Sequence, residues 1–100
     1  MDNINIRLLG DKSIVTFRGA LNINHIVSLK QEIDELVSFE TDLEVYLEAP
    51  ESIDITFIQL LVAMQNSCRV KGTAFQLKSQ LSDDIIGLLK NAGLEELFNI

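Results

Sequence analysis

The sequence predicts one α/β domain, and three observations carry that expectation. Stretches of strict two-residue alternation take turns with stretches whose apolar residues recur at three- and four-residue steps, the signatures of half-buried strands and amphipathic helices. The chain has 100 residues, about the size of a single domain. Its apolar share, 47%, is enough for one modest core.

Asn3-Ile4-Asn5-Ile6-Arg7-Leu8 alternates and places Ile4, Ile6 and Leu8 on one face of a first strand. Leu9-Gly10-Asp11-Lys12 reads as a turn into a second strand over 13–18, with Val15 and Phe17 inward, so that the two form an antiparallel hairpin. Ile26, Leu29, Ile33, Leu36 and Val37 then set a helix over 24–38, with Asn22 or Asn24 as its cap. Leu43 to Leu47 returns to period two, and Pro50, the only proline, is expected to stop that strand. From Thr56 a second helix carries Phe57, Leu60, Leu61, Met64 and Cys68 inward and ends at Gly72, which suits the left-handed position past a helix C-terminus. A fourth strand over 74–78 points Phe75 and Leu77 inward. Ser82 caps a third helix whose first-turn Asp83 and Asp84 complement the positive end of its dipole, and a short helix over 94–98 closes the chain. The order is β-β-α-β-α-β-α-α over residues 1–100. Its central strand-helix-strand units are expected to pair in parallel through right-handed crossovers.

Composition narrows the function. Fifteen acids against eight bases leave a net charge of −7, so the basic footprint of a nucleic-acid binder is missing. One cysteine, Cys68, makes no internal disulfide, and with a single histidine, His25, there is no Cys/His zinc cluster. The first five residues lack the basic and apolar regions of a secretory signal. The longest apolar run, Leu60 to Met64, falls far short of the roughly 18 residues of a membrane span. A soluble cytoplasmic chain without direct membrane insertion is expected. The glycines at 10, 19, 72, 87 and 93 fit neither the dinucleotide fingerprint nor the phosphate-binding loop, so no cofactor is implied. No nucleophile, base and oxyanion donor can be assembled from motif spacing, so neither a catalytic residue nor an enzyme is expected. His25 reads as a surface or cap residue, Cys68 as a small buried hydrophobe, and Glu32, Asp34 and Glu35 as a solvated helix face.

The segment from Ser52 to Leu61 joins the third strand to the second helix, at the carboxyl end of a parallel strand where ligands and partners gather. Asp54 or Thr56 is its expected helix cap. With Phe57, Leu60, Leu61 and Met64 facing the sheet, Ile58 and Val62 are expected to turn toward solvent and Ile55 to sit at the loop tip. Such an apolar edge marks an interaction surface, and the expected contact residues are Asp54, Ile55, Thr56, Ile58 and Gln59.

Val15-Thr16-Phe17-Arg18-Gly19-Ala20-Leu21, Ile53-Asp54 followed by Ile58-Gln59-Leu60-Leu61, Lys71-Gly72, Ala92-Gly93-Leu94 and Phe98-Asn99-Ile100 together resemble the STAS domain family, the anti-sigma factor antagonists and their relatives. The resemblance spans nearly the whole chain and implies a small mixed four-stranded sheet with helices packed on one side. It also implies a bacterial signal-transduction module without catalysis that docks on a regulatory kinase or another protein partner. Many members are switched by phosphorylation of the Ser or Thr directly after the aspartate matched by Asp54. Here that position is Ile55. Thr56 matches a second Ser/Thr position of the family and is the expected phosphorylation site, while Phe57 replaces the usual glycine. Asn22 stands where an aspartate is usual, and Tyr46 where the third strand presents Asp or Asn, so the phosphosite is degenerate. The run Asp-x-Thr-Phe-x-Gln-Leu-Leu is more similar to stand-alone STAS proteins of chemotaxis-type signalling than to the sporulation antagonists. A cytoplasmic accessory subunit of a lipid-type ABC transporter is the alternative assignment within the same resemblance.

Overall fold

A computed structural model describes residues 3–98, so residues 99 and 100 of the C-terminal resemblance lie outside the described residues. The elements are β1 (Ile4–Leu9), β2 (Lys12–Leu21), α1 (Ile26–Leu36), β3 (Asp42–Ile53), α2 (Ile55–Lys71), β4 (Phe75–Gln80), α3 (Asp83–Asn91) and α4 (Glu95–Phe98). One sheet runs β1-β2-β3-β4, with β1 antiparallel to β2 and the remaining neighbours parallel. This is the mixed α/β fold that the alternation pattern and the resemblance predict. No helix among the described residues is long and apolar enough to cross a membrane.

The hairpin turns at Gly10, whose φ of 63° is left-handed and open to glycine without the cost of a Cβ. Beneath the helices, Val15 and Phe17 of β2, Val45 and Leu47 of β3, Leu29 and Ile33 of α1, and Phe57, Leu61 and Met64 of α2 form the core. The rings of Phe17 and Phe57 meet edge to face at 5.0 Å, a geometry favoured by the ring quadrupoles. Leu89 joins this core from α3. The opposite face of the sheet is polar. There Glu44, buried on β3, holds Lys12 at 2.7 Å and Lys78 at 3.3 Å and accepts from the Tyr46 hydroxyl. Lys78 also lies over the Tyr46 ring. The hydrogen bond from Lys12 is the main reason the Glu44 carboxyl sits below its ordinary pKa.

Several sequence expectations are corrected. Pro50 does not end β3, because the pairing steps over it: the register moves from Arg18 with Glu48 to Ala20 with Ser52. Proline is tolerated in a bulge, where no ladder hydrogen bond is required of it. The irregularity is built from Gly19 at φ 79° and Ala49 at φ 40°, and a Cβ on Gly19 would meet the side-chain Nδ2 of Asn3 at 3.0 Å. Leu8 is 72% exposed, since it projects from an edge strand near the hairpin tip, beyond the reach of the helices. α1 is capped by neither asparagine: His25 holds the N-cap position without a side-chain hydrogen bond.

Because Phe57 is fully buried and locked against Phe17, Phe57→Ala should destabilise the domain by about 3–5 kcal/mol. Urea titration is expected to show a lower midpoint at an unchanged slope.

Candidate functional site

Past the bulge, Ser52 and Ile53 pair with Ala20 and Leu21, and the Asp54 amide donates to the Leu21 carbonyl at 3.2 Å. The ends of β2 and β3 are thereby held side by side, and the two segments that follow them, the 22–25 turn and the first turn of α2, become neighbours.

Asp54 is the N-cap of α2. One carboxylate oxygen, Oδ1, accepts from the amides of Thr56 at 3.0 Å and Phe57 at 3.3 Å and from the Thr56 hydroxyl. These bonds satisfy amides that the helix itself cannot. The other oxygen, Oδ2, accepts from the Ile23 amide at 2.8 Å. Asn22 reinforces the same junction, its Nδ2 donating to Ser52 Oγ at 3.3 Å and its Oδ1 accepting from the Asn24 amide at 3.0 Å. The Thr56 hydroxyl bond is the chief cause that holds the Asp54 carboxyl below the ordinary aspartate range, opposed by partial burial and aided by the three amides.

The five expected contact residues divide. Asp54, Thr56 and Ile55 stand together on the first turn of α2, with Ile55 61% exposed, and Gln59 follows on the exposed side one turn later. Ile58 is the correction: it is 7% exposed and belongs to the core cluster. It lines the groove bordered by Leu88 and Leu89 of α3, so the buried arc there is wider than the sheet-facing stripe alone. Val62 is on the outside, as expected. Tyr46, matched to the family's phosphosite pocket, lies on the open face of the sheet and bonds Glu44, so it contributes nothing to the Asp54 cluster.

Sequence reasoning missed Ile23 and Leu88. Ile23 is 65% exposed and held beside α2 through its amide. Leu88, also exposed, lines an apolar groove of about 350 Å³ together with Ile53, Ile55, Ile58, Leu89 and Leu94. Nothing local in the sequence marks Ile23, whose partner Asp54 lies 31 residues away. Among the described residues no group of three or more His, Cys, Asp or Glu could hold a metal ion. Chemically, the site offers exposed apolar side chains around a neutralised helix N-terminus, which suits docking.

Removing the cap by Asp54→Ala should cost about 0.5–2 kcal/mol at neutral pH. The folded-state pKa of Asp54 is depressed, so its contribution is present above the unfolded pKa and lost as pH falls through the folded one. The stability gap between wild type and variant is therefore expected to be full at neutral pH and to close below about pH 4, as chemical denaturation at a series of pH values will show.

Comparison with known proteins agrees with this architecture. Residues 4–99 match the family described as Mlab, STAS domain. A search of the curated proteins gave no match. Among solved structures, the crystal structure of the Thermotoga maritima protein TM1081, provisionally assigned as an anti-sigma factor antagonist, superposes with a TM-score of 0.72 at 21% identity. That alignment covers 95% of this chain and 82% of that one. The NMR structure of TM1081 gives 0.65 at 21% identity over 93% and 75% of the two chains. At this identity the structural likeness concerns the fold. The family match, spanning nearly every residue from the first strand to the C-terminus, establishes that the chain belongs to the STAS domain family.

Proposed function

We propose that the protein is a non-enzymatic regulatory module of bacterial, chemotaxis-type signal transduction that binds a protein partner, a regulatory kinase of the anti-sigma or chemotaxis type, in the cytoplasm. The contact runs through residues 50–56, where β3 ends and α2 begins, and on along the first turns of α2. The observation that carries this reading is Ile55, a large apolar side chain held 61% exposed on the first turn of α2, at the lip of an apolar groove. Its backbone is fixed on both sides by the Asp54 bonds. An exposed and rigid apolar group beside a groove loses little conformational freedom on binding, and such patches mark interaction sites.

Thr56 is the position for regulation by phosphorylation. Its hydroxyl, now donated to Asp54, would be exchanged for a group of about −1.5 to −2 charges. The helix N-terminus favours that anion, while the Asp54 carboxylate repels it, so the domain tolerates the change. The partner must then cover a doubly charged group beside Ile55 and releases. A second reading, an accessory subunit of a lipid-type ABC transporter, is favoured by the family match carrying the Mlab name, and would present the same surface to an ATPase subunit.

Affinity capture from native cytoplasm tests both. Ile55→Asp should change stability by no more than about 0.5 kcal/mol and lose the partner, whereas Ile58→Asp should unfold the domain because it places a charge in the core. Retention of the kinase or the ATPase subunit by the Ile55→Asp bait would refute the surface, and the identity of the captured subunit chooses between the two assemblies. For Thr56, intact mass from the native host together with weaker capture by Thr56→Glu than by Thr56→Ala is the expected result. An unmodified mass with equal capture would leave Thr56 only a structural role, as a donor to the Asp54 cap.

A further inference from the structure

The outer face of α2 is unlike that of any other helix in the molecule. α1 and α3 each carry charged residues on their exposed sides, but from Ile55 to Cys68 α2 contains no charged residue, and apolar side chains occur all around it. Its exposed stripe consists of Ile55, Gln59, Val62, Ala63, Asn66, Arg69 and Val70, which at 3.6 residues per turn share one side of the helix. A helix that is apolar on every side is normally covered on every side.

The order along this stripe is symmetric about the point between Val62 and Ala63. Ile55 and Val70 are equidistant from that point, as are Gln59 and Asn66, and at the ends so are Asp54 and Lys71. Two such helices laid antiparallel place small side chains at the crossing and amide opposite amide on either side. An isoleucine meets a valine at each end, and an acid meets a base beyond. At the receiving end there is room for the isoleucine: Phe39, Asn66, Ser67 and Val70 line a groove of about 320 Å³ beside the C-terminal turns of α2.

We infer that the outer face of α2 is a self-complementary interface on which a second copy of this chain docks antiparallel, about a two-fold axis at Val62 and Ala63. The charge distribution favours this occupant. Copies that each carry −7 repel one another, so they meet only where acids are absent or matched. On α2 the stripe carries no acid and a single base, Arg69, while Glu51 and Asp54 at its start approach Arg69 and Lys71 at the end of the other copy. Two-fold contacts require this kind of self-complementarity. A single helix face falls short of the roughly 800 Å² per partner of a standard stable interface, so the dimer is weak and reversible. The inference is independent of the partner proposed above. Because Ile55 serves both contacts, partner and second copy exclude each other.

The test uses the isolated full chain and disulfide trapping, for which Cα atoms must approach within about 7 Å; the native Cys68 is buried. Ala63→Cys is expected to give a linked dimer under mild oxidation, and a mixture of Ile55→Cys with Val70→Cys to give the mixed dimer, while neither of those two variants links to itself. Sedimentation of the wild type from micromolar to millimolar concentration should show reversible dimerisation that is lost in Ala63→Lys, with the circular dichroism of that exposed-site variant unchanged. A wild type that stays monomeric, no linkage of Ala63→Cys beyond the wild-type background, or self-linkage of Val70→Cys alone would each overturn the proposal.

Discussion

One carboxylate organises the functional end of this domain. Both oxygens of Asp54 are used, three donors from the first turn of α2 on one side and the Ile23 amide on the other. Without it, the turn after β2 and the start of α2 would be two surface segments joined only at their strand ends. With it they form one surface, and the two exposed isoleucines, Ile23 and Ile55, acquire fixed positions relative to each other. Hydrogen bonds to a charged acceptor are stronger than those between neutral groups, and here the charge lies where the helix dipole already favours it.

That arrangement is delivered by a local irregularity of the sheet. A regular β3 would have left its last residues out of register with the end of β2. The bulge at Gly19 and Ala49–Pro50 takes up the extra residues, after which Ser52 and Ile53 pair again and aim Asp54 at the 22–25 turn. Bulges commonly re-aim a side chain next to a functional site. The two sides of the sheet divide the remaining work. The open face is a network of paired charges around Glu44, whereas the helical side carries the core and an unusually neutral α2.

Much of this was legible in the sequence. The alternation in 3–8 and 13–18, the helical steps of 26–37 and the capping chemistry of Asp54 and Ser82 are local signals, and local physics decides them. Pro50 misled because its effect depends on whether a ladder bond is needed at that point, which is a property of the neighbouring strand. Ile58 misled for a related reason. On a helix with apolar residues on every side, periodicity identifies no single inward face, and only the position of α3 shows that Ile58 is covered while Ile55 and Val62 are not. Ile23 carries no local mark of its contact with Asp54, 31 residues away.

Amide hydrogen exchange compared between wild type and Asp54→Ala, which removes both acceptor oxygens, tests most directly whether one carboxylate holds this surface together. The Ile23, Thr56 and Phe57 amides should be protected in the wild type and exchange together, much faster, in the variant, while amides of the central strands β2 and β3 keep their rates. An Ile23 amide that exchanges at the same rate in both proteins would contradict the account, because the turn would then be held in place by something other than Asp54.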